Sequence, residues 1–154
     1  PVYPRLYLST DPDASIVRTA RQFNAAMPDY VVSQVKNLVG SLKGQKVAVL
    51  GASYRGGVKE TAFSGVFETV DALRREGADV VVEDPMYEDE ELAAFGWDPY
   101  HVGEDVDVVI VQADHKSYSD LSPRDFPGIK LLFDGRRITN PDNWVGTPRL
   151  VIGQ

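Results

Sequence analysis

The chain has 154 residues, which is the size of one ordinary domain and enough to bury a core. Its 43% hydrophobic and 25% charged residues are typical of globular proteins and not of disordered ones. The net charge of −7 argues against nucleic-acid binding, and the absence of cysteine excludes disulfides, zinc–thiolate sites and thiol nucleophiles. No apolar run is long enough for a transmembrane helix, so we expect no membrane partner. The absence of cysteine suits a reducing compartment, so we expect a cytoplasmic location.

The first 43 residues are predicted to form a long helical segment. The chain starts Pro1-Val2-Tyr3-Pro4, without an initiator Met or the basic start of a signal peptide, so we expect a processed product or a cut piece. Pro28 is expected to kink or break the helix, and Gly40 to stop it. An apolar stripe at spacings of three and four indicates one helix face, formed by Ile16, Ala20, Phe23 and Met27.

From Lys46 onward, short apolar runs alternate with helical and irregular segments. Strands are predicted at residues 47–50, 78–82, 106–111, 129–133 and 149–152. Helices are predicted at residues 64–76, with Val66, Phe67, Val70 and Leu73 inward, and at residues 88–95. Such alternation implies right-handed crossovers. The predicted fold class is α/β, with a doubly wound parallel sheet over residues 44–154 preceded by the N-terminal helical segment, residues 1–43.

Ligands of open parallel sheets bind beyond the carboxyl ends of the strands. That rule selects the segments 51–61, 83–87, 112–117 and 133–137 as candidate site segments. In the first of them, glycines allow close backbone approach, and the following helix would aim its N-terminus at the same crevice. Arg55 and Lys59 add positive charge that suits a phosphate.

The first segment is not the G-x-G-x-x-G dinucleotide motif. Ser53 replaces the second glycine, and Tyr54 and Arg55 occupy positions that the motif keeps open. The functional interpretation is a phosphate-binding loop. The alternative is a glycine-rich turn with exposed charges.

The other segments offer weaker candidates. Asp134 could be buried and hold an arginine by a paired hydrogen bond, so that Arg136 points at a phosphate, or the segment could be a surface turn. Asp84 could take ribose hydroxyls or simply begin an Asp-Pro turn. His115 could be a general base, although a capping or core-edge histidine is the commoner case.

The two tryptophans and one acidic run are expected to have structural roles. Trp97 and Trp144 are expected to anchor loops. The acidic run 88–91 is typical of a solvated helix face, so no metal site is predicted.

Several short motifs, in shared order and spacing, resemble the nucleotide-sugar 6-dehydrogenases, the family of UDP-glucose, UDP-N-acetylmannosamine and GDP-mannose dehydrogenases. The resemblance covers nearly the whole chain. Its motifs are Pro1-Val2-Tyr3-Pro4 with Tyr7-Leu8; Arg21, Asn24, Met27 and Pro28; Gly51, Tyr54, Arg55, Glu60 and Ser64; Asp84-Pro85; and Asp134-Gly135-Arg136.

The resemblance implies a Rossmann-like domain that binds the UDP end of a sugar nucleotide. The whole enzyme would carry an N-terminal NAD-binding domain and oxidise the sugar C6 alcohol to a carboxylate in two NAD-dependent steps, so NAD is not expected to bind to this domain. The helical segment would form a homodimer. The implied UDP-binding residues are Tyr54, Arg55, Glu60 and Arg136, with Ser53, Lys59, Asp84 and His115 as weaker candidates.

Two departures from the family pattern matter. Ala62 and Gly65 stand where the family has Arg and Pro, so one usual charge contact is missing. The nucleophilic cysteine would lie two residues before Pro1, so no catalytic residue and no turnover are expected of this chain alone. Two other hypotheses stay open: a stand-alone NAD-binding module, and a dimerisation module without a ligand.

Overall fold

A six-stranded, fully parallel sheet forms the centre of the computed structural model, which describes residues 3–153. The strand order is β3-β2-β1-β4-β5-β6, which is the order of doubly wound nucleotide-binding sheets. The strands are β1 (Lys46–Leu50), β2 (Asp79–Glu83), β3 (Asp98–Pro99), β4 (Val108–Val111), β5 (Leu131–Asp134) and β6 (Arg149–Val151). The predicted parallel α/β class is therefore confirmed.

Five α-helices accompany the sheet in the described part of the chain. They are α1 (Tyr3–Thr10), α2 (Ser15–Ala25), α3 (Met27–Val39), α4 (Val66–Arg75) and α5 (Asp89–Ala94). Short 3₁₀ turns lie at Lys116–Tyr118, Pro123–Asp125 and Pro141–Trp144. None of the helices in residues 3–153 is long and apolar enough to cross a membrane.

One face of the sheet is covered by helices. Alternate strand residues, among them Val49 and Ile110, pack there against Val35 of α3 and Leu73 of α4. All four side chains are at most 1% exposed. Because α3 packs on the sheet, it shares the core of the α/β unit, although it lies before the boundary predicted near residue 43.

The other face is covered by irregular segments instead of long helices. Leu50 and Val109 point to that face and share a core with aromatic side chains from the loops. Those side chains are Tyr100, Tyr118, Phe126 and Trp144. Between the later strands the chain forms short 3₁₀ turns instead of α-helices. Trp97 and Trp144 are buried, as expected of loop anchors.

Three details of the sequence-based prediction are wrong. The N-terminal segment contains an additional separate helix, α1. The break expected at Pro28 is present but lies at Ala26, so Pro28 sits in the first turn of α3, where its missing N–H costs nothing. Phe67 was predicted to point into the core but is 36% exposed. Its ring lies instead against the rings of Phe95 and Trp97, beside α5. The short edge strand β3 was not predicted, since two residues give no periodicity.

Candidate functional site

The loop of residues 51–65, here called the β1 loop, leaves the sheet where the strand order changes direction. From β1 the chain proceeds to β2 on one side, and β4 lies on the other. Ligands of doubly wound sheets bind in the crevice at this switch point. Residues from the ends of β2, β4 and β5 hold the β1 loop in place.

Asp84, just after β2, fixes the beginning of the β1 loop. Its Oδ2 accepts hydrogen bonds from the amides of Ala52 (2.9 Å) and Ser53 (3.0 Å), and lies 3.1 Å from Nε2 of His115. Burial by itself would raise the pKa of Asp84, but the bonds from His115 and from the Met86 and Ser53 amides outweigh it, so the pKa is lowered. The side chain has no exposed area, which leaves no oxygen for the ribose contact that the sequence suggested.

Asp114 and His115, just after β4, fix the middle of the β1 loop. The Gly56 amide donates to Oδ1 of Asp114 (2.8 Å), and this bond lowers the pKa of that carboxyl. The Gly57 amide donates to Nδ1 of His115 (3.4 Å), while Nε2 faces Asp84. The His115 side chain is only 4% exposed, so it lies at the edge of the core and supports the loop instead of offering an accessible general base.

Two glycines make this close packing possible. A Cβ on Gly56 would overlap the backbone carbonyl of Asp114, and one on Gly51 would overlap the Cβ of Ala113. Gly51 also has a φ of 101°, which side chains rarely tolerate. The β1 loop therefore lies directly against the residues that follow β4.

The amides of the β1 loop are largely consumed by these contacts. The amides of Ala52, Ser53, Gly56 and Gly57 bind side chains, and that of Tyr54 donates to the Glu60 carbonyl (3.0 Å). These particular amides are therefore not available to a phosphate. The nearby cationic side chains are candidate donors for an anion.

Arg136, after β5, crosses the crevice to the β1 loop. Its Nε donates to the carbonyl of Gln112 (2.6 Å), and one of its terminal nitrogens donates to the carbonyl of Tyr54 (3.0 Å). A guanidinium has five N–H donors, so three remain for a ligand. Tyr54 and Arg136, which were predicted to belong to one site, are thus in direct contact.

Asp134 is buried, as predicted, but the arginine that it holds is a different one. Its Oδ2 accepts from Arg149 (3.1 Å) and from the hydroxyl of Thr139 (2.6 Å), while Oδ1 accepts from the amide of Arg136 (3.0 Å). Burial would raise the pKa of Asp134, but the bonds from Thr139 and neighbouring amides lower it overall. Asp134 therefore shapes the turn that presents Arg136 and does not bind its guanidinium.

Of the other predicted site residues, Arg55 has no carboxylate partner among the described residues, whereas Lys59 and Glu60 form hydrogen bonds within the domain. The Arg55 guanidinium lies 5.5 Å from the centre of the Tyr54 ring, and no carboxylate of residues 3–153 pairs with it. Lys59 is bound by Glu91 (2.7 Å), which raises the pKa of the lysine and diverts its charge from the crevice. Glu60 accepts from the Ala62 amide (2.7 Å) and so folds the loop.

Ser53 is fully buried, and within the described chain its hydroxyl has no hydrogen-bond partner. No cluster of three or more potential metal ligands is found in residues 3–153.

Four residues that build the site were given no individual role from the sequence, although two of them lie in the candidate segment 112–117: Gln112, Asp114, Thr139 and Arg149. The bonds of Gln112 and Asp114 join segments 24 and 58 residues apart, whereas Thr139 and Arg149 bind Asp134 from 5 and 15 residues away. The only available signal was position, since Gln112 and Asp114 directly follow a predicted strand.

A doubly wound parallel sheet with a cationic crevice at its switch point defines a nucleotide-binding α/β domain. A family model described as the UDP binding domain of the UDP-glucose/GDP-mannose dehydrogenase family matches residues 48–141. The chain belongs to this family.

Relatives and solved structures agree with this assignment. The chain is 29% identical to a UDP-N-acetyl-D-mannosamine dehydrogenase of Methanocaldococcus jannaschii, over 92% of this chain and 34% of the relative. The UDP-N-acetyl-mannosamine dehydrogenase structure from Staphylococcus aureus superposes with a TM-score of 0.74 and 27% identity, over 92% of this chain and 34% of that one. The structure of a UDP-glucose dehydrogenase from Pyrobaculum islandicum superposes with a TM-score of 0.76 and 25% sequence identity, over 96% of this chain and 34% of that one. The chain spans about a third of the length of these proteins.

Proposed function

We propose that this chain binds the UDP part of a sugar nucleotide in the crevice between the β1 loop and Arg136. The observation that carries the proposal is the pair of guanidinium groups beside Tyr54. Arg55 has no carboxylate partner among residues 3–153, and Arg136 keeps three N–H donors after bridging two carbonyls. Guanidinium groups bind phosphate oxygens in bidentate geometry, so two of them suit a diphosphate.

The rest of the enzyme is proposed from the family. The chain would form the C-terminal part of an NAD-dependent dehydrogenase that oxidises the C6 alcohol of a UDP-sugar to a carboxylate. The crevice residues of this chain would hold and orient the substrate. The NAD-binding domain and the nucleophilic cysteine would belong to the preceding part of the enzyme. A cytoplasmic location accompanies the proposal, because such a reaction needs the cell's NAD.

NAD is not proposed to bind in the β1 loop. A dinucleotide site uses a carboxylate after the second strand for the ribose, and the corresponding Asp84 has no exposed side-chain area. The loop amides that would approach a pyrophosphate donate to Asp84, Asp114 and His115 instead. These contacts oppose the hypothesis of a stand-alone NAD module.

A homodimer through the first two helices is part of the proposal. No residue of α1 or α2 is buried, and the apolar stripe predicted from the sequence is largely exposed, with Ile16 at 83% and Phe23 at 72%. Leu6 and Tyr7 add exposed apolar area on α1. An exposed apolar surface of this kind favours association with a second copy.

Isothermal titration of the chain with UDP tests the proposed function. We expect saturable binding, and a loss of roughly 1.5–3 kcal/mol for Arg55→Ala, because hydrogen bonds to charged groups are removed. Arg124→Ala is the matched control, since Arg124 lies in the 3₁₀ turn before β5, at the opposite edge of the sheet. Absence of heat at millimolar UDP, with folding verified by circular dichroism, would contradict the proposal.

A further inference from the structure

Arg149, the first residue of β6, contacts both ends of the turn that follows β5, residues 134–139. Its Nε donates to the hydroxyl of Thr139 (2.9 Å). One of its terminal nitrogens donates to Oδ2 of Asp134 (3.1 Å) and to the carbonyl of Thr139 (3.0 Å). A guanidinium is planar and rigid, so these three bonds fix Asp134 and Thr139 relative to each other. The Arg149 side chain is only 16% exposed, so salt screens its charge little.

The turn has a backbone conformation that needs such support. Arg137 has a φ of 56°, which costs free energy in a residue with a side chain. Oδ1 of Asp134 holds the residues on either side of it, through the amides of Arg136 (3.0 Å) and Ile138 (3.3 Å). Oδ2 accepts from both the amide (2.9 Å) and the hydroxyl (2.6 Å) of Thr139. The carboxylate therefore connects the two ends of the turn to its strained centre.

The side chain of Arg136 extends from this turn across the crevice. Its guanidinium donates to the carbonyls of Gln112 (2.6 Å) and Tyr54 (3.0 Å), while its amide donates to Asp134 (3.0 Å). Arg136 is thus held at both of its ends. Relaxation of the turn would move the amide end, and hydrogen bonds weaken steeply when their angles are distorted. Contacts between this guanidinium and a phosphate would weaken in the same way.

We propose that Arg149 is a positioning residue for nucleotide binding. Through Asp134 and Thr139 it holds the turn after β5 in the conformation that aims Arg136 into the crevice. The ligand contacts Arg136, and Arg149 acts through the turn. The inference rests on the proposed function, since it concerns the same ligand.

A double-mutant cycle measured by isothermal titration with UDP tests whether Arg149 acts through Arg136. Arg149→Lys keeps the positive charge, but an ammonium lacks the rigid planar donors that make the three bonds. We expect this change to lower UDP affinity about 5- to 20-fold, a part of the roughly 10- to 150-fold that hydrogen bonds from a charged donor contribute. In an Arg136→Ala chain, the same change should alter the affinity less than about 2-fold.

Arg124→Lys is the matched control for Arg149→Lys. It makes the same chemical change at an exposed arginine, in the 3₁₀ turn before β5. Its UDP affinity should equal that of the unmodified chain.

Thr139→Val tests the same connection without changing a charge. It removes the hydroxyl that donates to Asp134 (2.6 Å) and accepts from Arg149 (2.9 Å), whereas Thr139→Ser keeps a hydroxyl there. We expect Thr139→Val to lose UDP affinity and Thr139→Ser to keep it. Circular dichroism verifies folding, and the two Thr139 variants provide the test if Arg149→Lys does not fold.

Four results would overturn the inference. Unchanged UDP affinity in folded Arg149→Lys and Thr139→Val would show that Arg136 does not need these bonds, and the proposed function would stand. An equal loss in the Arg136→Ala chain would show that Arg149 acts on the ligand directly or on the whole fold. Equal losses in Thr139→Val and Thr139→Ser would assign the effect to packing and not to the hydroxyl. If the folded, unmodified chain did not bind UDP, the proposed function would fall together with this inference.

Discussion

The guanidinium of Arg136 lies 3.0 Å from the carbonyl oxygen of Tyr54, across 82 residues of sequence. The same guanidinium reaches the carbonyl of Gln112 at 2.6 Å, so one side chain joins the segments that follow β1, β4 and β5. Arg136 therefore has two functions in this account. It holds the crevice in shape, and it offers its remaining N–H donors to the ligand.

Arg136→Lys should weaken both functions. The lysine ammonium lacks the planar set of N–H donors of a guanidinium, so it cannot bridge the two carbonyls in the same way. We expect the β1 loop to lose about 1–2 kcal/mol of local stability, as for two modest hydrogen bonds. Hydrogen exchange of the Gly56 and Gly57 amides, which donate to Asp114 and His115, would report this loss. Unchanged exchange, with Arg124→Ala as the remote control, would mean that the bridge does not hold the loop.

Gly56→Ala should distort the β1 loop. The new Cβ would overlap the Asp114 carbonyl, which belongs to the backbone and cannot swing away. We expect a loss of about 1–3 kcal/mol in unfolding free energy, as for other overpacked sites, and a loss of UDP binding.

Gly57→Asn is the control for this change. Gly57 has a φ of 71° with open space around its Cα, and Asn tolerates that conformation. Chemical denaturation of both variants provides the comparison. Equal stabilities would show that the close approach at Gly56 is not required.

Asp134→Asn should be the most destabilising of these substitutions. The carboxylate has no exposed area and pairs with Arg149, whose side chain is only 16% exposed. Removing one partner of a buried pair leaves an uncompensated charge, so we expect a loss of about 3–5 kcal/mol. Asp142→Asn, at an exposed aspartate in the following loop, should stay within about 0.5 kcal/mol of the unmodified chain. A loss below about 1 kcal/mol for Asp134→Asn would contradict the assigned network.

His101 should make stability depend on pH. Its imidazole lies 3.1 Å from Glu104 and 3.2 Å from Asp89, and the hydrogen bond to Glu104 together with the charge of Asp89 raises the pKa of the histidine. Because the folded pKa is raised, the stabilisation is fully present below the unfolded value of about 6.5 and is lost as the pH rises through the folded value.

The contribution is small because the pair is exposed, with the imidazole 60% accessible. Melting temperatures of the unmodified chain and of His101→Gln should therefore differ at pH 5.5 and converge at pH 8.5. A constant difference across that range would contradict the ion-pair explanation.

The sequence predicted the sheet better than the site. Runs such as Val47–Leu50 identify strands by local composition, and alternation with helices implies a parallel order. Phe67 was misassigned because helical periodicity cannot foresee the aromatic neighbours Phe95 and Trp97.

Site residues depend on contacts between strand ends, which local patterns do not encode. Asp84 accepts hydrogen bonds from the amides of Ala52 and Ser53, which lie 32 and 31 residues earlier in the chain. The local Asp-Pro sequence therefore could not predict that Asp84 is buried. Tyr54, Arg55 and Arg136 were predicted as site residues because strand ends mark the rim of such sheets, and their role in binding stays a prediction.

A crystal structure of the chain with UDP tests the central claim most directly. We expect diphosphate oxygens within about 3.2 Å of guanidinium nitrogens of both Arg55 and Arg136, in the crevice beside the β1 loop. A diphosphate bound elsewhere, with both guanidinium groups turned to solvent, would contradict it.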